Sequence, residues 1–428
     1  MNRRVRFLDT RPLRGSRPFR DLWIGTSTSQ LGGQIATVAV LAQVWELTGS
    51  TVGTGAIGLA TGLPMVLFGL LGGTLADSVD RRALVRATTT GQLLVAAGLS
   101  AQAVAGNRNV FLLLALVAAG TACGALGAPA RRTFPVRLLP ADQVAAGLAL
   151  TNVSFQVAML AGPALAGLII ARWDLSAAYA AQAVATLVSV LAVLRLPAMK
   201  PGGTDAKVSR RRPERGGWRI VLRRPTLWGS MATDLSATLL AMPIALFPLV
   251  NEIRFDGNPQ TLGLFLSAVA VGGIAAGLLS GMVTRWRRGG LVQLCAAAVW
   301  GLALAGFGLS GPLWPALGCL AVAGAADTVS VVTRSALVQL ETPDAYRGRV
   351  SSVEHVIGVA GPELGNFRGG LMASATSAPF TLVTGGLSAT LAVAAVAATN
   401  ASLRAYRTPP TPDEPTAPET VDAATATG

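Results

Sequence analysis

Apolar residues in this chain are gathered into runs of about 20 or more, each ended by a short polar stretch, and the pattern recurs from end to end. A helix rises about 1.5 Å per residue, so each run is long enough to cross a hydrocarbon layer of roughly 30 Å. Twelve such runs are legible, at residues 19–46, 52–76, 83–106, 109–130, 143–171, 174–195, 226–251, 260–284, 289–310, 313–337, 347–373 and 377–402. Several contain Gly or Pro, which membrane helices tolerate where neighbouring helices cover the freed backbone groups. The pattern predicts an all-α membrane protein with twelve transmembrane helices.

The runs fall into two sets of six. The predicted organisation is a basic N-tail (1–18), a six-helix bundle (19–195), a polar linker (196–225), a second six-helix bundle (226–402) and a disordered C-tail (403–428). The linker is basic and rich in Pro and Gly, and its end, "WRIVLRRP" (218–225), reads as a short interfacial helix with Trp218 and Ile220 toward lipid. The tail from Thr408 is rich in Pro, Thr, Ala, Asp and Glu and too poor in apolar residues to fold alone. The bundles echo one another: "AGPALAG" (161–167) matches "AGPELGN" (360–366) in the corresponding run. They are expected to be pseudo-symmetric.

Composition sharpens this picture. Hydrophobic residues make up 51% of the chain and charged ones 13%, against about 25% charged in a soluble domain. The net charge of +14 could suggest nucleic acid, but the placement of the basic residues excludes that reading. With the N-terminus inside, 31 of the 35 Lys and Arg residues fall in inner segments, including Arg131, Arg132 and Arg334. Arg108, Arg172 and Arg254 fall outside, and Arg368 lies within a run. Such a bias places both termini in the cytoplasm. Only two of the basic residues are Lys and Ala is abundant, which points to a GC-rich bacterial genome and a multi-pass protein of the bacterial inner membrane. No small-residue cleavage site follows a short apolar core near the N-terminus, so no removable signal peptide is expected. Cys123, Cys295 and Cys319 sit in runs and read as small buried hydrophobes, and a single histidine leaves no metal site.

Candidate chemistry is concentrated in the second bundle. The stretch "EHVIGVAGPELGNFRGG" (354–370) lies in an apolar run yet holds Glu354, His355, Glu363, Asn366 and Arg368. A charge at the bilayer centre costs about 2.5–3.5 kcal/mol on insertion scales. These groups, with Asp234 and Asp327, are therefore expected to face a wet path or one another. Helical spacing puts His355, Glu363 and Asn366 on one face unless Gly361-Pro362 kinks the helix. Glu363 is the expected proton carrier, with Asp327 and Asp234 as further candidates and His355 modulating. Glu354 reads either as a proton group or as a side chain reaching the inner interface. Arg368 is expected to attract an anionic cargo or to pair with Glu363. The first bundle offers amides one turn apart, Gln30 with Gln34 and Asn152 with Gln156, as hydrogen-bonding groups for the cargo.

Several motifs resemble a known family. "GGTLADSVDRRALV" (72–85) is similar to the signature loop of major facilitator transporters: Gly73, Leu75, Ala76, Asp77, Arg81 and Arg82 match, while Ser78 and Asp80 depart. The second-half counterpart, "SGMVTRWRRGG" (280–290), has Arg285 where Asp77 would align. "AMLAGPALAG" (158–167) resembles the glycine-proline signature of drug/proton antiporters through Gly162, Pro163 and Gly167. The fourth run lacks the arginine seen near the start of that helix in many of them. "VWELTGSTVGTGAIGLATGLP" (44–64), "PVRLLPADQVAAGLALTN" (135–152) and "ALVQLETPDAYRGRVSSV" (336–353) resemble the enterobactin exporter branch. The resemblance implies two six-helix bundles with a midplane site between them. It implies a gating loop at Gly73, Asp77, Arg81 and Arg82, and pliable helix positions at Gly162, Pro163, Gly361 and Pro362. It implies a monomeric secondary exporter of a siderophore or similar small molecule, driven by a proton gradient, without a cofactor, and in contact only with cargo and lipid. A multidrug efflux pump of the same fold, an importer and a non-transporting membrane sensor are the other readings; no nucleotide loop, metal cluster or nucleophile–base pair points to an enzyme.

Overall fold

The computed structural model describes residues 9–197, 217–279, 288–343 and 346–407, apart from the side chains of Leu70 and Asp77. The expected disordered tail from Thr408, most of the linker, the second-half loop counterpart at 280–287 and the carboxylate of Asp77 thus lie outside the described residues.

The first half holds six long helices: α1 (Arg17–Thr48), α2 (Thr51–Ser78), α3 (Arg81–Val104), α4 (Val110–Arg132), α5 (Val144–Arg172) and α6 (Leu175–Leu194). Five of the six start at side chains that accept from first-turn amides, namely Ser16, Ser50, Asp80, Asn109 and Asp174; α5 does not. At the start of α6 the Ser176 hydroxyl and the Ala177 amide hold the Asp174 carboxyl below the usual carboxylate range. Gly49 ends α1 in the left-handed conformation that a side chain rarely adopts.

The second half holds α7 (Pro225–Ala241), α8 (Phe247–Phe255), α9 (Pro259–Leu278), α10 (Gly289–Leu309), α11 (Leu313–Glu341), α12 (Arg347–Ala375) and α13 (Ala378–Thr399). No strand occurs among the described residues. Nine segments among them are long and apolar enough to cross a membrane, the pair α7–α8 counting as one. The helices α1, α3 and α12 are as long but carry more polar side chains.

One expectation is corrected. The run 226–251 is not one helix, because the α-helical path stops after Ala241 and resumes at Phe247. Pro243 has no amide hydrogen to continue the ladder, and a 3-10 turn at Ile244–Leu246 joins the two pieces. Conversely, α12 runs unbroken through Gly361-Pro362, and α5 through Gly162-Pro163. These glycines serve close packing: Gly361 lies against Thr238 of α7, and Gly162 against Gln34 of α1. The short helix Gly217–Arg223 does form, with Trp218 and Leu222 exposed.

The main apolar core runs through both halves and is tied differently in each. In the first, Tyr179 and Gln102 hydrogen-bond to Gln43 at 2.7 and 2.9 Å, tying α1, α3 and α6 through a satisfied buried network. In the second, the rings of Phe247, Phe265 and Phe307 pack with centroids 5.4–5.7 Å apart.

Glycines define the seam between the halves. The backbone of α2 approaches α12 so closely that a Cβ at Gly58 would stand 2.5 Å from the Glu363 carbonyl oxygen, and one at Gly62 2.7 Å from Glu363 Cβ. Thr51 Oγ1 donates to the Gly370 carbonyl at 2.8 Å and Thr54 Oγ1 to the Ala245 carbonyl at 2.7 Å. The second contact, α5 on α9, puts Gly167 against Pro259 and Ser267 Oγ 2.8 Å from the Leu160 carbonyl. Farther along the same stripes the fit ends. Gly69 and Gly73 on α2 and Gly277 on α9 have no atom within 4 Å of a Cβ position. The halves are therefore zipped at one end and splayed at the other, which is the end holding the basic segments.

Candidate transport site

The splayed walls carry polar groups at the positions that continue each seam. On α5, Gln156 is half-buried and Asn152 exposed, one and two turns beyond the zipped segment. On α12, His355 is exposed two turns before Glu363, with no partner among the described hydrogen bonds and ion pairs. Asn366 and Glu363 stay within the zipped part. The Asn366 side chain accepts the Ala245 amide at 3.3 Å, and both Asn366 and Thr61 hydrogen-bond the Glu363 carboxyl. The expected shared face of His355, Glu363 and Asn366 is thus split between open cleft and closed seam.

A second group lies behind this seam. Arg334 of α11 forms a buried ion pair with Asp234 of α7, and its Nε stands 3.4 Å from Glu354 Oε1 of α12. Ser335 Oγ donates to the same Glu354 oxygen at 3.0 Å. Glu354 therefore does not reach toward the interface; it closes an interhelical triad. Asp327, seven residues before Arg334 on α11, lies in the field of both Asp234 and Arg334. Three carboxylates share one guanidinium.

Arg334 was missed as a site residue because it counts among the basic residues of an inner segment. The signal was present: Arg334 lies inside the run 313–337. Arg131 was missed in the same way. The run 109–130 stops one residue short of it, whereas α4 continues to Arg132. Arg131 Nη2 donates to Gln92 Oε1 at 2.9 Å and to Thr89 Oγ1 at 3.3 Å. It lines a cavity of about 610 Å³ with Gln30, Gln92, Trp23 and Thr151. A deeper chamber of about 390 Å³ shares Gln92 and is mostly apolar, with Ile57, Met65, Leu99 and Val117 among its walls.

Arg368 is not paired with Glu363. Its Nη1 donates to the Leu239 carbonyl at 3.3 Å and to the Leu240 carbonyl, so it caps the C-terminal end of α7. Gln34 lies where α1 touches Gly162. In the loop after α2, Arg81 is buried with its Nε 3.2 Å from the Ala76 carbonyl, and Arg82 Nη2 stands 3.4 Å from the Leu194 carbonyl.

Residues 10–426 match the family described as transmembrane secretion effector. The chain belongs to that family of major facilitator transporters. Among relatives of this exporter family, the enterobactin exporter EntS of Citrobacter koseri is 26% identical over 399 residues, covering 90% of this chain and 94% of that one. The enterobactin exporter EntS of Shigella boydii is 25% identical over 395 residues, covering 90% and 93%. Among solved structures, nucleoside transporter NupG aligns with a TM-score of 0.71 at 14% identity over 89% of this chain and 98% of that one. A bacterial homologue of the lysosomal transporter Spinster, in an inward-facing unoccupied conformation, aligns with a TM-score of 0.66 at 14% identity, covering 92% and 97%. At such identity these two structures carry the fold alone. The seam agrees with the transporter family, whose fold sets two bundles around a site between them. Membership also agrees with the absence of enzyme chemistry in the sequence, since the relatives are membrane exporters.

Proposed function

We propose that this chain is a proton-driven exporter of a siderophore or similar amphiphilic small molecule, working by alternating access. It spans the bacterial inner membrane twelve times, α7 and α8 together making one crossing, with both termini and the splayed end in the cytoplasm. The similarity to enterobactin exporters and the bias of the basic segments support this reading. Cargo enters the cleft past Asn152, Gln156 and His355 and settles against Gln30 and Gln92. The apolar chamber beyond Gln92 would equally suit a drug-like cargo, which keeps multidrug efflux as the second reading.

The observation that carries proton coupling is the setting of Glu363. Its carboxyl is packed into the seam, where a Cβ at Gly58 would stand 3.2 Å from Glu363 Oε2, and no cation pairs with it among the described ion pairs. A group so placed is best accommodated neutral, so the zipped seam suits a protonated Glu363. Loss of that proton leaves an uncompensated carboxylate against the Gly58 backbone, which favours unzipping. Release of the proton to the cytoplasmic cleft would thus open the outer end, in the order an antiporter needs. Asp327 and Asp234, in a cluster with more carboxylates than cations, can hold further protons close by.

Inverted membrane vesicles test the proposal. An inside-acid gradient should drive enterobactin uptake, and collapsing the gradient should stop it. Glu363→Gln, which keeps a donor at this site, should insert normally and lose gradient-driven uptake. Full uptake by this variant would refute the role of Glu363, and uptake indifferent to the gradient would refute proton coupling.

A further inference from the structure

We propose that Arg131 is the docking point for the negatively charged end of the cargo, and that the ligand class is an aromatic anion such as a benzoate or catecholate. This rests on the exporter reading and names its substrate chemistry. Three other arginines of the helical body are engaged, and Arg132, which lines the same cavity, is exposed. Arg334 is held by Asp234 and Glu354, and Arg368 by the α7 carbonyls. Arg254 is held by the carbonyls of Phe307 and Ser310 at the end of α10. Arg131 has only two neutral partners, both on Nη2, and its Nε is buried with none. No carboxylate pairs with it among the described residues. Arg131 is half-buried, and a cation drawn partly out of water without a counter-charge is costly; in a membrane protein it marks a ligand path.

The surroundings specify the ligand. Gln30 Oε1 is also buried without a partner, and Gln30 lines the same cavity. A hydroxyl group beside a charged oxygen would satisfy both residues, the hydroxyl donating to Gln30 and the charge accepting from the guanidinium. Trp23 donates its indole N–H to the Leu150 carbonyl at 3.2 Å, which leaves its ring surface as apolar lining for an aromatic group. The apolar remainder of the cargo can extend past Gln92 into the deeper chamber.

Binding to the full chain in lipid nanodiscs, followed by calorimetry, separates the possibilities. The probes are 2,3-dihydroxybenzoate, neutral catechol and the lipophilic cation tetraphenylphosphonium, with enterobactin as a fourth. Arg131→Gln should weaken 2,3-dihydroxybenzoate about tenfold or more, while catechol stays within about twofold. Arg131→Lys should recover part of the loss, because it restores charge without the bidentate geometry. Should Arg131→Gln fail to fold, Gln30→Leu should weaken 2,3-dihydroxybenzoate in the same sense, leaving tetraphenylphosphonium unaffected. Equal benzoate affinity in the folded variant and the parent protein would overturn the proposal. A parent protein that binds 2,3-dihydroxybenzoate through Arg131 but not enterobactin would uphold this site and sink the siderophore reading. One that binds no anionic probe would sink both.

Discussion

Two arginines inside the helices of the second half do different work because their neighbours differ. Arg334 neutralises two of three acids within a buried cluster, whereas Arg368 meets only backbone carbonyls. The sequence showed the excess of acids in the second half, since Asp234, Asp327, Glu354 and Glu363 all fall in apolar runs. It could not show which acid meets which arginine, because pairing depends on helix rotation across three elements far apart in the chain. The cluster predicts a non-additive mutational pattern. Arg334→Gln leaves Asp234 and Glu354 buried without their cation and should destabilise the protein by about 3–5 kcal/mol. Adding Asp234→Asn should recover a good part of that loss. Denaturation of both single variants and the double variant in detergent checks the cycle; effects that simply add would show that the pair is not coupled.

Helix boundaries were read to within a few residues in most places, because long apolar runs end at charged or capping residues. The break between α7 and α8 escaped because the run 226–251 is apolar on both sides of Pro243, so hydropathy passes over it. What makes the break tolerable is also distant in sequence: Arg368, over 120 residues later, supplies the donors that the end of α7 lacks. Arg368→Met should therefore loosen this joint. Losing a charged donor to buried carbonyls costs about 1.5–3 kcal/mol. Hydrogen exchange should quicken in amides around Ala245 and Leu246, while 2,3-dihydroxybenzoate binding at the first-half cavity stays unchanged. A fall in that binding with no change in exchange would move Arg368 back to the cargo.

At the scale of the whole molecule, one stripe of glycines on α2 serves two ends. Gly58 and Gly62 are tight against α12, while Gly69 and Gly73 face open space. The sequence displayed all four glycines at helical spacing but held no sign of which were in contact, since that is a property of the conformation. A side chain placed at each end should thus bias rocking in opposite directions. Gly58→Leu collides with the α12 backbone and should unzip the outer end. Gly73→Leu meets nothing in this form, so it should fold normally, yet it should obstruct the approach of the basic ends and abolish transport. Both effects can be read from one reporter on the cleft wall, Asn152→Cys in a protein whose native cysteines are replaced. Maleimide should reach this thiol from the cytoplasmic side as fast as in the parent, or faster, when Gly73→Leu is present. It should react several-fold more slowly with Gly58→Leu. If both substitutions shift the rate the same way, the two ends of the seam do not alternate, and the rocking cycle derived from them fails.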